Sequence, residues 1–251
     1  MPPSPVGLTL PGALATFNNP LVIRRTTVIS RFLSHACAHT QAKRERRKEA
    51  RPGELLAAAL TLFVEKGYAA TRVEEVARLA GVSKGTLFLY FASKEELFKA
   101  VVRENIVGRF AEWTQELEDY QGTSAELLRY AMLNWWERVG NTPVSGISKL
   151  MMSEAANFPE LAAFYQAEVI EPGNHLIRRI LQRGVDRGEF RALDLDQAIY
   201  LVMAPMMYLI SWKYSFGRCA GVSTPLIPEQ YLALQIETLI RGLSSAGPAQ
   251  S

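Results

Sequence analysis

The chain has 251 residues, of which 48% are hydrophobic and 21% charged, with a formal net charge of +3. That length suits one large domain or two smaller ones, and the composition is ordinary for a soluble protein with a real core. A net charge this small does not by itself announce nucleic acid, and two isolated cysteines, Cys37 and Cys219, exclude a disulfide framework and fit a reducing cytoplasm.

The distribution of charge says more than its sum. Residues 1–51 hold nine Lys/Arg and two Glu; residues 52–100 hold six of each sign; residues 101–251 hold thirteen basic and seventeen acidic residues. Residues 1–42 contain five prolines and no acidic residue, and no helical period holds for long. They are expected to be a disordered tail or an upstream-assigned start. His35-x-Cys37-x-His39 within them lacks a fourth metal ligand and a folded context, so no metal site is expected. Residues 43–51 form a basic arm with Arg46, Arg47 and Arg51. Such a run is either a solvated face or an arm for phosphate or the minor groove.

Pro52 suits a first helical turn, and Leu56, Ala59, Leu60 and Phe63 give the helix that follows an apolar face ending at Gly67. Thr71 with Glu74 reads as a capping box opening a second helix, whose face is Val73, Val76, Ala77 and Ala80. Gly81 stops it, Val82 plugs the turn, and Ser83 caps a short third helix with Leu87 and Phe91 inward. Ser93 with Glu96 opens a fourth helix that buries Leu97, Phe98, Val101 and Val102. Two short helices joined through a glycine turn fit the DNA-binding helix-turn-helix pattern, whose second helix enters the major groove, and they also fit a helical hairpin inside an all-α core.

The ordered run from Phe63-Val64-Glu65-Lys66-Gly67-Tyr68 through Ala80-Gly81-Val82-Ser83, Gly85, Leu87-Phe88 and Tyr90-Phe91 to Ser93-Lys94-Glu95-Glu96-Leu97 resembles the TetR family of bacterial regulators. The resemblance implies an all-α protein with a three-helix DNA-binding domain at 52–98 and a helical effector-binding and dimerisation domain at 99–243. It implies that Arg72, Lys84, Gly85, Thr86, Phe88, Tyr90 and Lys94 meet DNA. Gly85 lets the backbone approach closely, Lys84 and Thr86 are candidates for base edges or nearby phosphates, and Lys94 is a candidate for phosphate. Two positions depart from the family pattern. Phe88 stands where Tyr is common and loses a hydroxyl contact. Leu89 stands where a polar or aromatic residue is frequent, facing either the groove or the core.

From Phe98 one helix is expected to run to about Asp119, and helices follow over roughly 124–139, 144–156 and from Pro159 to Gly184 or Gly188. Pro172-Gly173 is expected to interrupt or kink the last of these near Ile170. The apolar run Ala198–Ile210 contains Pro205 and falls short of the roughly twenty residues of a membrane span, so it reads as a buried helix. A final helix starts at Pro228 and ends at Gly242, and 244–251 reads as a disordered tail. The stretches Ala155–Leu161 and Arg187–Arg191 also resemble a C-terminal domain type of TetR-like regulators.

Met132, Trp135, Trp136, Met151, Met152, Phe158, Phe164, Tyr165 and Met203 are large, adaptable apolar residues in one domain, and they are candidates for an effector pocket, with His175 or Tyr165 as polar anchor. Tyr200, Met207, Tyr231, Leu234 and Thr238 are candidate dimer contacts, on the two helices that pair with their copies in the family. The chain carries no phosphate loop, His-Glu-x-x-His helix, nucleophile elbow or Cys-x-x-Cys pair, so no enzyme activity and no cofactor are expected. The expected function is a cytoplasmic, homodimeric repressor released from a palindromic double-stranded DNA operator by a small apolar or aromatic effector, without a membrane partner. An activator, a ligand-independent regulator and a helical ligand-binding module with a vestigial helix-turn-helix are the alternatives. Effector, operator and regulated genes are not encoded in any motif.

Overall fold

A computed structural model describes residues 52–215, 217 and 226–245. The expected tail 1–42, the arm residues Arg46, Arg47 and Arg51, Cys219 and residues 246–251 lie outside the described residues. Among the described residues there are helices and no strand; a single antiparallel bridge joins Phe190 to Ser244.

Helix α1 covers residues 52–66 and buries Leu55, Leu56, Ala59, Leu62 and Phe63. The Gly67 amide donates to Phe63 O at 3.0 Å and closes it. Helix α2 is Val73–Leu79, with Val76 and Ala77 buried. Its start differs from the expected capping box. Arg72 is the N-cap, and Thr71 lies one residue outside the helix, buried, with its hydroxyl donating to Leu62 O at 3.1 Å and Gly67 O at 2.7 Å. Thr71 therefore covers carbonyls at the end of α1, where the loss of a buried partner would cost more than an exposed cap returns.

Gly81 adopts φ +67°, the left-handed conformation that the turn requires, and the Val82 amide reaches back to Ala77 O at 2.9 Å. Helix α3 is Lys84–Phe88; the Ser83 side chain accepts from the Thr86 amide at 3.0 Å. Helix α4 is Lys94–Asn105, capped by Ser93, and it buries Leu97, Phe98, Val101 and Val102. It runs unbroken through the 98/99 boundary expected between the two domains, because Val101 and Val102 belong to the same apolar cluster as Leu97 and Phe98.

The expected helix through Asp119 is broken. Ile106, at φ −124° and ψ −61°, leaves the helical path; a 3-10 turn Val107–Arg109 follows, then helix α5, Phe110–Asp119. Ile106 is buried, and side-chain donors cover carbonyls at the break: Asn105 Nδ2 to Val101 O at 2.8 Å, and Arg109 Nε to Asn105 O at 3.1 Å.

Helix α6, Ser124–Trp135, begins with a complete capping box between Thr123 and Glu126 and runs into a π-turn, Trp136–Gly140. Helix α7 is Ser145–Glu154; at Gly146 an added Cβ would strike Val64, so the small residue lets α7 approach α1 closely. Helix α8, Pro159–Tyr165, passes through a second π-turn, Gln166–Ile170, into α9, Glu171–Asp186. Pro172 has no amide to give Glu168 O, and its ring crowds that carbonyl in an α-helix. The wider turn falls just before it. Helices α10, Leu195–Tyr214, and α11, Pro228–Leu243, complete the order. Ser244 and Ser245, expected in the tail, are tied down: the Arg191 amide donates to Leu243 O at 2.9 Å and the Ser245 amide to Glu189 O at 3.1 Å.

Two apolar clusters result. The first joins α1–α4 with α7 and α8; the second joins α6, α9, α10 and α11. Among the described residues no helix is long and apolar enough to cross a membrane.

Candidate functional site

Helix α3 stands out from the first cluster on the buried side chain of Leu87. Its outer face shows Lys84, Gly85 and Phe88, the last 40% exposed, and Leu89 beyond it is 83% exposed. Leu89 therefore faces outward, which settles its two alternatives against the core. Tyr90 is half-buried against the first cluster. Lys84 Nζ lies 2.5 Å from Glu74 Oε1 and 5.8 Å from the Phe88 ring centroid. The hydrogen bond from Lys84 holds the Glu74 carboxyl below its ordinary range. The Thr86 hydroxyl lies 2.9 Å from Ser83 Oγ, so it is engaged in the cap. Arg72 is exposed at the start of α2.

Lys94, expected to hold phosphate together with the start of its helix, is turned inward. Its ammonium donates to Tyr68 O at 2.9 Å, Thr71 O at 3.2 Å and Ala69 O at 3.3 Å, and lies 4.4 Å from the Tyr68 ring centroid. An ammonium has three donors, and the loop before α2 takes all three. Desolvation lowers the Lys94 pKa, opposed by the charge of Glu154.

A cavity of about 500 Å³ opens where the two apolar clusters meet. Ile106, Val139, Met151 and Tyr165 come from the first cluster; Leu127, Met132, Ile180 and Met206 come from the second. Helix α5 adds Phe110, Trp113 and Leu117, and the π-turn before α9 adds Gln166, Val169 and Ile170. The chain has seven methionines, and all except Met1 line this cavity. The thioether chain is unbranched and adapts its shape, so this wall can repack readily.

The expected pocket residues divide. Met132, Trp135, Met151, Met152, Tyr165 and Met203 line the cavity. Trp136 does not: one residue on from Trp135 it turns about 100° around the helix and is buried in the second cluster. Phe158 packs edge-on to Tyr68, with ring centroids 4.7 Å apart, in the first cluster. Phe164 lies under Lys99 and Arg103, 5.7 and 5.0 Å from its ring centroid. His175 does not line the main cavity; it borders an adjoining recess with Thr114, Glu171 and Pro172, which shares Phe110 and Leu176 with the cavity wall. Sequence reasoning missed Ile106, Ser148, Met206 and the α5 stripe Phe110, Trp113 and Leu117. The i, i+3, i+7 spacing of that stripe was a visible signal.

Helices α10 and α11 present an apolar outer face. Tyr200 is 61% exposed and Leu234 66%, and Leu201 and Tyr208, absent from the expected set, join them. Thr238 is exposed, with its hydroxyl donating to Leu234 O at 2.8 Å, while Tyr231 is half-buried 6.1 Å from the Tyr208 ring. Met207 is half-buried and points into the cavity wall rather than standing clear on this face.

Residues 55–101 match the model of bacterial regulatory proteins, tetR family, and residues 122–213 match the tetracyclin repressor-like C-terminal domain. The chain is similar to the HTH-type transcriptional repressor KstR2 of Mycolicibacterium smegmatis, 28% identical over 189 residues, covering 73% of this chain and 88% of the relative. It is also similar to the regulator RutR of Escherichia coli, 43% identical over 72 residues, 29% of this chain and 34% of that one. Among solved structures, the regulator FadR of Bacillus subtilis in complex with stearoyl-CoA matches with TM-score 0.62 at 20% identity, covering 76% of this chain and 98% of that one. KstR2 of Mycobacterium tuberculosis matches with TM-score 0.60 at 22% identity, covering 78% and 95%. The two family models together span more than half of the chain, and they fall on the helix-turn-helix and on the helices around the cavity. The chain belongs to the tetR family of bacterial regulatory proteins and is a DNA-binding transcriptional regulator.

Proposed function

We propose that the protein is a homodimeric repressor that leaves a palindromic operator when a small apolar molecule enters the cavity between its two clusters. The observation that carries this is Ile106. It lines the cavity and is also the residue at which the chain leaves α4, the last helix of the DNA-binding unit. A guest that displaces Ile106 bears on the end of α4, and through it on α3. The relatives support the direction of control, since KstR2 is named a repressor. They also support a ligand, since FadR is described in complex with stearoyl-CoA.

The apolar face of α10 and α11 supplies the surface for pairing with a second copy. Tyr200, Tyr231, Leu234 and Thr238 remain its proposed contacts, with Leu201 and Tyr208 added and Met207 at its edge. Two copies would set two α3 helices at half-sites about one helical turn apart, or a multiple of it. Lys84, Gly85, Thr86, Phe88 and Arg72 are the proposed DNA contacts in each, with Arg46, Arg47 and Arg51 on the backbone. Such a regulator works in the cytoplasm, on the chromosome.

Footprinting of the purified protein over its own upstream region, with sedimentation at the same concentration, tests this reading. The expected result is a dimer protecting a two-fold symmetric site. A monomer that protects a single half-site overturns the dimer, and an increase in transcription from the protected promoter overturns repression.

A further inference from the structure

The polar groups of the cavity are unevenly placed. Glu116, Asn134, Gln166 and Asn174 are part of its wall but are not buried residues. Ser148 and Tyr165 are the two buried polar residues in the wall, 8% and 7% exposed, and their hydroxyl oxygens lie 3.0 Å apart. No Lys, Arg or His lines the cavity among the described residues. Its one charged side chain, Glu116, is held at 2.7 Å by Arg138 from outside.

We propose that the effector is an uncharged molecule whose carbonyl or hydroxyl oxygen seats against the Ser148–Tyr165 pair. This rests on the cavity being the effector site. Each hydroxyl has one proton and two lone pairs. The mutual hydrogen bond uses one proton and leaves the pair one to donate. An acceptor oxygen on the guest takes that proton; a hydrocarbon leaves it without a use. A buried carboxylate or phosphate finds no cation here, and burying an unpaired ion is far more costly than burying a hydrogen-bonded neutral group. A cationic guest meets only Glu116, whose charge Arg138 already balances. Burial also pushes the Tyr165 phenol up to about 12, so it stays a neutral donor at any physiological pH.

Trp113 and Trp135 in the wall report occupancy through their fluorescence. The full chain is titrated at pH 7.5 with decan-2-one, decanoate and decylammonium, three guests of equal chain length. Decan-2-one is expected to bind at least about tenfold more tightly than either ion, and the double variant Tyr165→Phe/Ser148→Ala, which removes both hydroxyls, to weaken it about five- to tenfold, the share of one hydrogen bond. Either single variant leaves the other hydroxyl free to donate, so each is expected to weaken the ketone less than the double variant does. An ion that binds as tightly as the ketone overturns the proposal, as does a folded double-variant protein with unchanged ketone affinity. Operator release by each guest separates this from the wider reading. Release by decanoate or decylammonium keeps the effector site and sinks its preference for neutral guests. Guests that quench the tryptophans without altering operator affinity sink the effector site itself.

Discussion

Arg103 of α4 grips Glu168 of the second π-turn with two hydrogen bonds, Nη2 to Oε1 at 2.6 Å and Nε to Oε2 at 2.8 Å. The guanidinium also lies 5.0 Å from the Phe164 ring centroid. Gln166, Val169 and Ile170 of the same π-turn line the cavity, so one short segment touches both the cavity and the end of the DNA-binding unit. The pair is partly exposed, so its contribution to global stability is expected to be under about 1 kcal/mol. Its effect is expected to be local. Glu168→Gln is expected to raise hydrogen exchange several-fold over residues 106–109 while leaving the middle of α10 unchanged. Equal exchange in both proteins would show that the pair does not restrain the break after α4.

Lys84 is paired with Glu74, and this pairing competes with the contact that Lys84 is proposed to make with DNA. Glu74→Gln is expected to raise affinity a few-fold for operator and scrambled DNA alike, since it releases one positive charge and removes one negative charge near the duplex. The gain should shrink as salt rises. Lys84→Ala acts in the opposite direction and flattens the salt dependence by about one ion. Titration of both variants on both DNAs at several salt concentrations measures this. A Glu74→Gln protein that gains on operator alone would assign Glu74 to sequence readout instead.

The three carbonyls around Lys94 lead to a stability prediction rather than a DNA one. Lys94→Met keeps the aliphatic stem over the Tyr68 ring and removes the charge-assisted bonds, each a stronger kind than a neutral bond. The expected loss is about 2 kcal/mol, read as a lower urea midpoint, with the ratio of operator to scrambled affinity unchanged. An unaltered midpoint together with weaker binding to both DNAs would return Lys94 to the phosphate role.

Tyr165 gives a pH dependence with a definite sign. Burial raises its pKa from 10.0 to about 12, while the unfolded phenol titrates near the ordinary value. Between those two values the unfolded chain binds fewer protons than the folded one, so stability falls as pH rises, by about 1.4 kcal/mol per pH unit from this group. Its contribution is fully present below pH 10 and lost as pH passes through the folded value. Urea unfolding from pH 9 to 11.5 should therefore show a shallower decline for Tyr165→Phe than for the parent protein. Parallel declines would mean that the phenol is solvated in the folded state.

Much of the helical order was legible because it rests on local rules. Ser83 and Ser93 cap where a hydroxyl can meet the amide three residues on, and Leu97, Phe98, Val101 and Val102 repeat at helical spacing. Thr71 was misread because a capping-box pattern also fits a threonine that serves the preceding helix, and only the fold decides which carbonyls it meets. The break at Ile106 has no local signature strong enough to find it; a buried isoleucine and two side-chain donors from Asn105 and Arg109 make it. Lys94 looked like a surface cation because the carbonyls it binds lie 23 to 26 residues earlier in the chain. Trp135 and Trp136 looked alike in the sequence and part company because adjacent helical residues face different ways.

The π-turns carry a consequence for how the cavity lining can change over evolutionary time. A π-turn holds one residue more than an α-helix of similar rise, and each residue advances a helix by about 100°. Through the turn Gln166–Ile170, everything after it in α9 is dialled to its present orientation by a single extra codon. Loss of Ala167 would swing Asn174 and Ile177 out of the wall and bring their neighbours in, without altering the chemistry of any side chain. Insertions and deletions are usually tolerated in loops. Here, in the middle of a helix, they are a way to exchange one lining for another in a single step.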